Sequence, residues 1–332
     1  MTGENLIRIE NGGDHTRFPW LGTYRLSRME SQLLGDGLRH FQVFTDGQFP
    51  RDVARQTLLA QITADKSIAQ AAPGLNRLIE KVRADLFDCI YVTNLPTDKS
   101  ITHLLSLTLS SSIGSVFNYG SQNGARLVME VTSDPGEPGG QPAELDWRTE
   151  GAWIPRERRA EWIGLLGGEN TPGRYTAYAA IKPVEQTLSS RAKAWLHSPS
   201  ASLGSPDSSV SDVATRSAPR AVLTRAPLGH TEIAWPSDAV RAARPDDAIG
   251  ADALSQLSSE INRQHIRVSI DAGCFLAFNN FRGVHKQAPA SDGYCLCYKT
   301  YARHSLRTLQ VKGESGPIFS LTEANASSQG CI

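Results

Sequence analysis

Between residues 113 and 310 the sequence breaks into short apolar and aromatic segments parted by turn residues, and no other feature narrows the fold so far. "RLVMEV", "EWIGLLG", "YTAYAAI", "RAVLT", "TEIAW", "HIRVSI", "CFLAF" and "YCLCYKTY" each have the length of one strand, and Gly, Pro, Asp and Ser separate them. Many short strands so spaced imply an antiparallel sandwich, jelly roll or barrel. Two helical segments interrupt the pattern, near 184–197 and 251–263. The first 110 residues differ in character. "PGLNRLIEKVRADLFD" (73–88) places Leu75, Leu78, Ile79, Val82 and Leu86 on one helical face, and "CIYVTNLP" then reads as a strand closed by a turn. The expectation is a mainly β fold with flanking helices, one domain over 1–332: an N-terminal helical layer over 1–110 and a β core over 113–310.

Two stretches lack periodicity. "SDPGEPGGQPAE" (133–144) is a Gly/Pro loop placed as a mobile lid. "SPSASLGSPDSSVSDVATRSAPR" (198–220) is Ser-rich and reads as a disordered insertion, because strands continue on both sides. At 40% apolar and 20% charged residues the chain can bury an ordinary core. Lys plus Arg and Asp plus Glu number 34 each, so the formal net charge is zero and the basic footprint of a nucleic-acid or membrane-surface binder is missing. No apolar run approaches the roughly 18 residues of a membrane span, and "MTGENLIRIENGG" lacks the start of a secretory signal. A cytoplasmic protein with a small-molecule substrate is expected. The five cysteines, Cys89, Cys274, Cys295, Cys297 and Cys331, are too sparse and odd in number for a disulfide framework. "CLC" at 295–297 lacks zinc spacing, and on an alternating strand both thiols turn the same way, into a core.

The chemistry concentrates in "LDWRTEGAW" (145–153). Non-heme iron oxygenases hold Fe(II) with two histidines and one carboxylate on one octahedral face. A His-x-Asp/Glu pair at a strand end puts both side chains on one side, and a distant histidine completes the set. "LDWRTEGAW" has that form, with Arg148 in the histidine position ahead of Glu150. "GHTEIAW" offers a literal pair, His230 and Glu232, although eight histidines yield roughly one such match by chance. "RERRAEW" (156–162) reads as a solvated charge run rather than a binding patch.

The block "DWRTEGAWIPRERRAEWIGLLGGENTPGRYTAYAAI", followed much later by "AGCFLAFNNFRGVHKQAP", resembles the clavaminate synthase and taurine dioxygenase group of Fe(II)/2-oxoglutarate oxygenases over roughly residues 90 to 310. The resemblance implies a double-stranded β-helix core, a cupin-like jelly roll. It implies His285 as the distal histidine, Glu150 as the carboxylate ligand, and Arg148 in place of the first histidine. Thr176 matches the threonine that hydrogen-bonds the far carboxylate of 2-oxoglutarate. Lys299 falls where the family has the arginine that pairs with it, and Arg303 fits a second basic position used for substrate. "NYGSQNG" (118–124) borders the substrate pocket in such proteins and nominates Tyr119 and Gln122. On this register His230 lies where the family carries no ligand. The gap from 232 to 285 suits other branches of the superfamily, so a His230 register stays open.

Arg148 changes what the motif can do. Guanidinium stays protonated and has no lone pair for a metal. At about 4 Å and an effective dielectric of about 20, a divalent ion and a monocation repel by roughly 8 kcal/mol. Arg148 can instead neutralise Glu150. Three readings follow. The first is an Fe(II)/2-oxoglutarate oxygenase-like enzyme acting on a small amino-acid-derived metabolite in specialised biosynthesis, its irregular metal site made from Glu150 and His285. The second is a metal-independent enzyme in which Arg148, Glu150 and His285 perform acid/base work on an anionic substrate. The third is a non-catalytic partner of an active homologue. A homo-oligomer or a homologous partner protein fits any of them.

Overall fold

The structure is a computed structural model that describes residues 18–43, 53–119, 126–132, 145–153, 155–170, 175–204, 217–236, 239–287, 295–304 and 318–319. Gln122, the 133–144 stretch, residues 205–216 and Cys331 lie outside them. The main sheet centres on β13 (Phe275–Asn279), which pairs antiparallel with β2 (Cys89–Thr93) on one side and β6 (Trp162–Asn170) on the other. β1 (Leu21–Arg25) extends the sheet beside β2, in parallel. Beyond β6 comes β15 (Cys295–Arg303), whose far edge takes β4 (Met129–Thr132) and then β3 (Ser115–Tyr119), with β16 (Ile318–Phe319) outermost. A second sheet runs β12 (Ile266–Val268), β7 (Thr176–Ala180), β14 (Gly283–Gln287) and β5 (Leu145–Arg148). Two small pairs complete the strands: β9 (Leu223–Arg225) with β10 (Thr231–Ile233), and β8 (Ala201–Leu203) with β11 (Val240–Ala242).

The period-2 alternation of the strands sorts their side chains between cores. On β13, Phe275 and Ala277 pack toward the N-terminal helices, while Leu276 and Phe278 pack toward the second sheet. β2 divides the same way, Ile90 and Val92 against Cys89 and Tyr91, and so does β15, Tyr298 and Ala302 against Cys297 and Tyr301. β7 sends Tyr178 and Ala180 inward and Ala177 and Ala179 to a third core. That third core lies under helices Ile181–Thr187, Ser190–Leu196 and Ala248–Arg263. The layers are therefore helix, sheet, sheet, helix, with a core between each pair. Such burial on both faces explains why β13 reads as an unbroken apolar run.

The N-terminal layer holds α1 (Arg28–Val43), α2 (Val53–Ala71), α3 (Pro73–Arg83) and α4 (Thr102–Ile113). α4, "THLLSLTLSSSI", is buried on almost every side between α2 and β15, as a helix without a polar face must be. The structure departs from expectation in a few places. The fold is mixed rather than mainly β, since helices hold as much of the described chain as strands do, and besides β2, the strand read in "CIYVTNLP", the 1–110 segment gives β1 to the main sheet. α3 ends at Arg83 and leaves Leu86 61% exposed; Asp85 takes φ +60, and its carboxylate and that of Asp88 pair with the buried Arg282. The Ser-rich stretch is structured at both ends: Ala201 and Arg220 exchange backbone hydrogen bonds of 3.1 and 2.8 Å. Cys89 and Cys274 are free thiols, Cys295 and Cys297 are buried, and no described helix is long and apolar enough to cross a membrane.

At the end of β15, His304 Nδ1 lies 2.9 Å from Glu161 Oε1, and this hydrogen bond raises the imidazole while lowering the carboxyl. A raised histidine stabilises fully below its unfolded value of about 6.5 and loses that contribution as pH rises through its folded value. The difference in thermal stability between wild type and His304→Gln is expected to shrink as pH rises above about 6.5. A difference that stays constant from pH 5 to about 9 would contradict the pairing.

Candidate active site

Alternation on the strands brings the expected residues to one place. Val284 faces the outer core, so His285 faces between the sheets; Tyr178 faces inward, so Thr176 does too; Cys297 and Tyr301 face inward, so Lys299 does as well. β5 and β14 pair with Arg148 directly opposite His285. The segment after β5 is held from both sides. Thr149 N donates to Trp235 O at 2.7 Å and Trp235 N to Thr149 Oγ1 at 3.1 Å. Glu150 N donates to Asn280 Oδ1 at 2.8 Å, and Asn280 Nδ2 returns a bond to Glu150 O at 3.0 Å. Gly151 at φ +64 turns the chain in the left-handed region, where a side chain would be strained.

So fixed, the Glu150 carboxylate is ringed by donors. Lys299 Nζ donates to Oε1 at 2.8 Å and Tyr301 Oη donates to the same atom at 2.9 Å. On the other oxygen, His285 Nε2 stands 3.6 Å and Arg148 Nε 3.7 Å away, and Oε2 makes no hydrogen bond. Burial would raise the Glu150 carboxyl, but Lys299, His285 and Arg148 outweigh it and hold it well below the usual carboxylate range. Burial pushes His285 down to about 4 despite Glu150, with the Arg148 and Lys299 charges adding to the effect, and its Nδ1 is buried without a partner. At neutral pH the centre holds one carboxylate, two cations and a neutral imidazole.

A pocket opens beside this centre. Arg148, His285, Thr176, Lys299, Asn170 and Gln287 give it polar atoms, and Ile163, Leu165, Phe278 and Cys297 line it with apolar ones. Thr176 is 5% exposed. Other expected residues are placed differently. Tyr119 stands behind Tyr301, ring centroids 5.4 Å apart, and donates its hydroxyl to Arg158 O at 2.6 Å. Arg303 commits Nη1 to the carbonyls of Arg156, Glu157 and Arg159 at 3.0, 2.7 and 2.8 Å, holding that turn closed. His230 lines a separate cleft, and Glu232 is gripped by the Nε and Nη2 of Arg156. "RERRAEW" is not simply a solvated run, for Arg159 is only 3% exposed. Sequence reasoning missed Asn280 and Tyr301 as positioning residues; the signal available was Tyr301 two residues from Lys299, on the same face of β15.

The donor set does not fit iron of the 2-His-1-carboxylate type. Among the described residues no three His, Cys, Asp or Glu side chains gather to hold a metal. Arg148 is a cation beside Glu150, and Glu150 Oε1 already accepts from Lys299 and Tyr301. The donors left over suit an anion instead. Lys299 keeps two N–H donors beyond the one on Glu150, with the Thr176 hydroxyl and the Arg148 fork on the same pocket.

No family model matches the chain, and no curated protein matches it. Solved structures do. An asparagine oxygenase in complex with Fe(II), 2S,3S-3-hydroxyasparagine and succinate shares 19% identity, with 91% of this chain and 99% of that one covered and a TM-score of 0.76. The non-heme iron oxygenase OrfP, in complex with Fe and alpha-ketoglutaric acid, shares 16% identity over 90% of this chain and all of its own, with a TM-score of 0.74. OrfP with Fe, succinate and (3S)-hydroxy-L-Arg gives 17%, 90%, 99% and 0.72. At such identities the likeness establishes a shared fold.

Removing the central carboxylate isolates Lys299, which is 6% exposed, and Arg148 from their counter-charge. Glu150→Ala is expected to cost about 3–5 kcal/mol in urea-induced unfolding, the usual penalty for breaking a buried pair from one side. A loss under about 1 kcal/mol would show that the charges do not depend on one another.

Proposed function

We propose that this chain is a small-molecule enzyme on the oxygenase fold that binds an anionic, amino-acid-derived substrate and works on it without a three-ligand iron centre. In this reading the two facing sheets are the double-stranded β-helix. The observation that carries it is the state of Glu150, whose charge is met by Lys299, Tyr301 and Arg148. Glu150 then acts as a fixed anion that holds the two cations in place. Lys299 and Arg148 present N–H donors to a substrate carboxylate or to negative charge developing beside it. His285, neutral at pH 7, accepts a proton. An anion seated beside it would raise it from about 4 toward neutrality, where a histidine transfers protons best.

One observation favours a second reading, an Fe(II)/2-oxoglutarate oxygenase with an irregular site. Glu150 Oε2 lacks a hydrogen bond, and His285 Nε2 stands 3.6 Å from it, so two donors of the right kind still face one point. The solved neighbours act as oxygenases with asparagine- and arginine-derived molecules bound, which fits a substrate of that class for either reading.

Calorimetric titration with 2-oxoglutarate in the presence of a chelator separates the two. The metal-independent reading predicts that wild type binds and that Lys299→Met weakens binding at least tenfold, about 1.4 kcal/mol, with a smaller loss for Thr176→Val. Binding that requires added Fe(II) would overturn it in favour of the second.

A further inference from the structure

The turn before β6 ends in an arginine that the centre above does not use. Arg159 is 3% exposed, and its Nε and Nη1 are buried without a hydrogen-bond partner. Its guanidinium carbon stands 5.1 Å from the centre of the Phe281 ring, and the guanidinium groups of Arg156 and Arg303 share that ring at 4.7 and 5.6 Å. Burial, reinforced first by the charge of Arg220 and only partly opposed by Glu232, brings Arg159 down to about 9. Arg220 is half-buried, and burial lowers it too.

The carboxylates around Arg159 already have partners or are shared. Glu232 is held in a two-pronged pair by Arg156. Arg303 is committed to three carbonyls and lies in the field of Glu161 and Glu157. Arg220 lies in the field of Glu157. Among the described residues Arg159 forms no ion pair: Glu232, the carboxylate whose charge reaches it, is already held by Arg156. A buried guanidinium without a partner is strongly unfavourable, and a Leu or Met would fill the same volume without that penalty. The planar head of a guanidinium matches a carboxylate, which it can meet with two parallel N–H bonds. Asn280 Nδ2 bonds both the Glu150 carbonyl and that of Ala160, the residue after Arg159, so the two places lie at the same end of the sandwich.

We propose that Arg159, with the more accessible Arg220 beside it, is a binding site for the carboxylate of a small-molecule ligand, separate from the Thr176–Lys299 pocket. The site stands whether or not that pocket takes an anion.

The test is thermal unfolding with sodium acetate replacing sodium chloride at constant ionic strength, for wild type, Arg159→Met and Lys299→Met. Acetate at about ten times its dissociation constant is expected to raise the Tm of wild type and of Lys299→Met by about 2–4 °C more than that of Arg159→Met. Without acetate, Arg159→Met is expected to melt no lower than wild type. An equal acetate response in wild type and Arg159→Met would overturn the proposal, as would a response lost only in Lys299→Met, which would put the acetate in the other pocket. A response to inorganic phosphate in place of acetate would overturn the monocarboxylate assignment. Should Arg159→Met fail to fold, Arg159→Lys carries the same test, with a response expected below half that of wild type.

Discussion

Glu150 brings a negative charge to the seam between two sheets, and the arrangement around it depends on how that charge is balanced. Lys299 and Tyr301 approach from β15 in the main sheet, Arg148 and His285 from β5 and β14 in the second. The carboxylate therefore ties the layers together at the point where the pocket opens. Each partner is buried or half-buried, so water does little to screen the attraction, and removal of any one strands the others. Asn280 extends the arrangement to the backbone: it holds Glu150 by both N–H and C=O, and reaches the Ala160 carbonyl at 3.0 Å with the same amide.

Much of this was legible because strand alternation is a local property. Thr176, His285 and Lys299 face inward for the reason that "YTAYAAI", "RGVHKQ" and "YCLCYKTY" alternate, and the apolar residues of each show which side is core. The face formed by Leu75, Leu78, Ile79 and Val82 was equally plain. The end of α3 was not, because Leu86 continues the helical period while the tertiary pairing of Asp85 and Asp88 with Arg282 overrides it. α4 lies in the segment expected to be helical, yet it is buried on almost every side and so shows no polar–apolar period of its own.

Long-range pairing was beyond reach. That Arg148 sits opposite His285 depends on β5 and β14 meeting across 137 residues of chain, which no local pattern encodes. Arg303 matched a basic position by spacing alone, and spacing does not tell whether a guanidinium meets a ligand or caps three carbonyls. "RERRAEW" illustrates the same limit: three arginines in four residues read as solvated, yet a single turn exposes Arg156, half-buries Arg158 and encloses Arg159.

The proposed metal-independent chemistry requires that Arg148 take the place a metal ligand would need. Anaerobic equilibrium dialysis against Fe(II), comparing wild type with Arg148→His, tests this most directly. Wild type is expected to retain well under one equivalent of iron, and Arg148→His, with two imidazoles and Glu150, to bind at least tenfold more tightly, a gain of about 1.4 kcal/mol or more. Stoichiometric iron in wild type, unchanged by Arg148→His, would contradict it and show that other side chains complete a metal centre around Glu150 and His285.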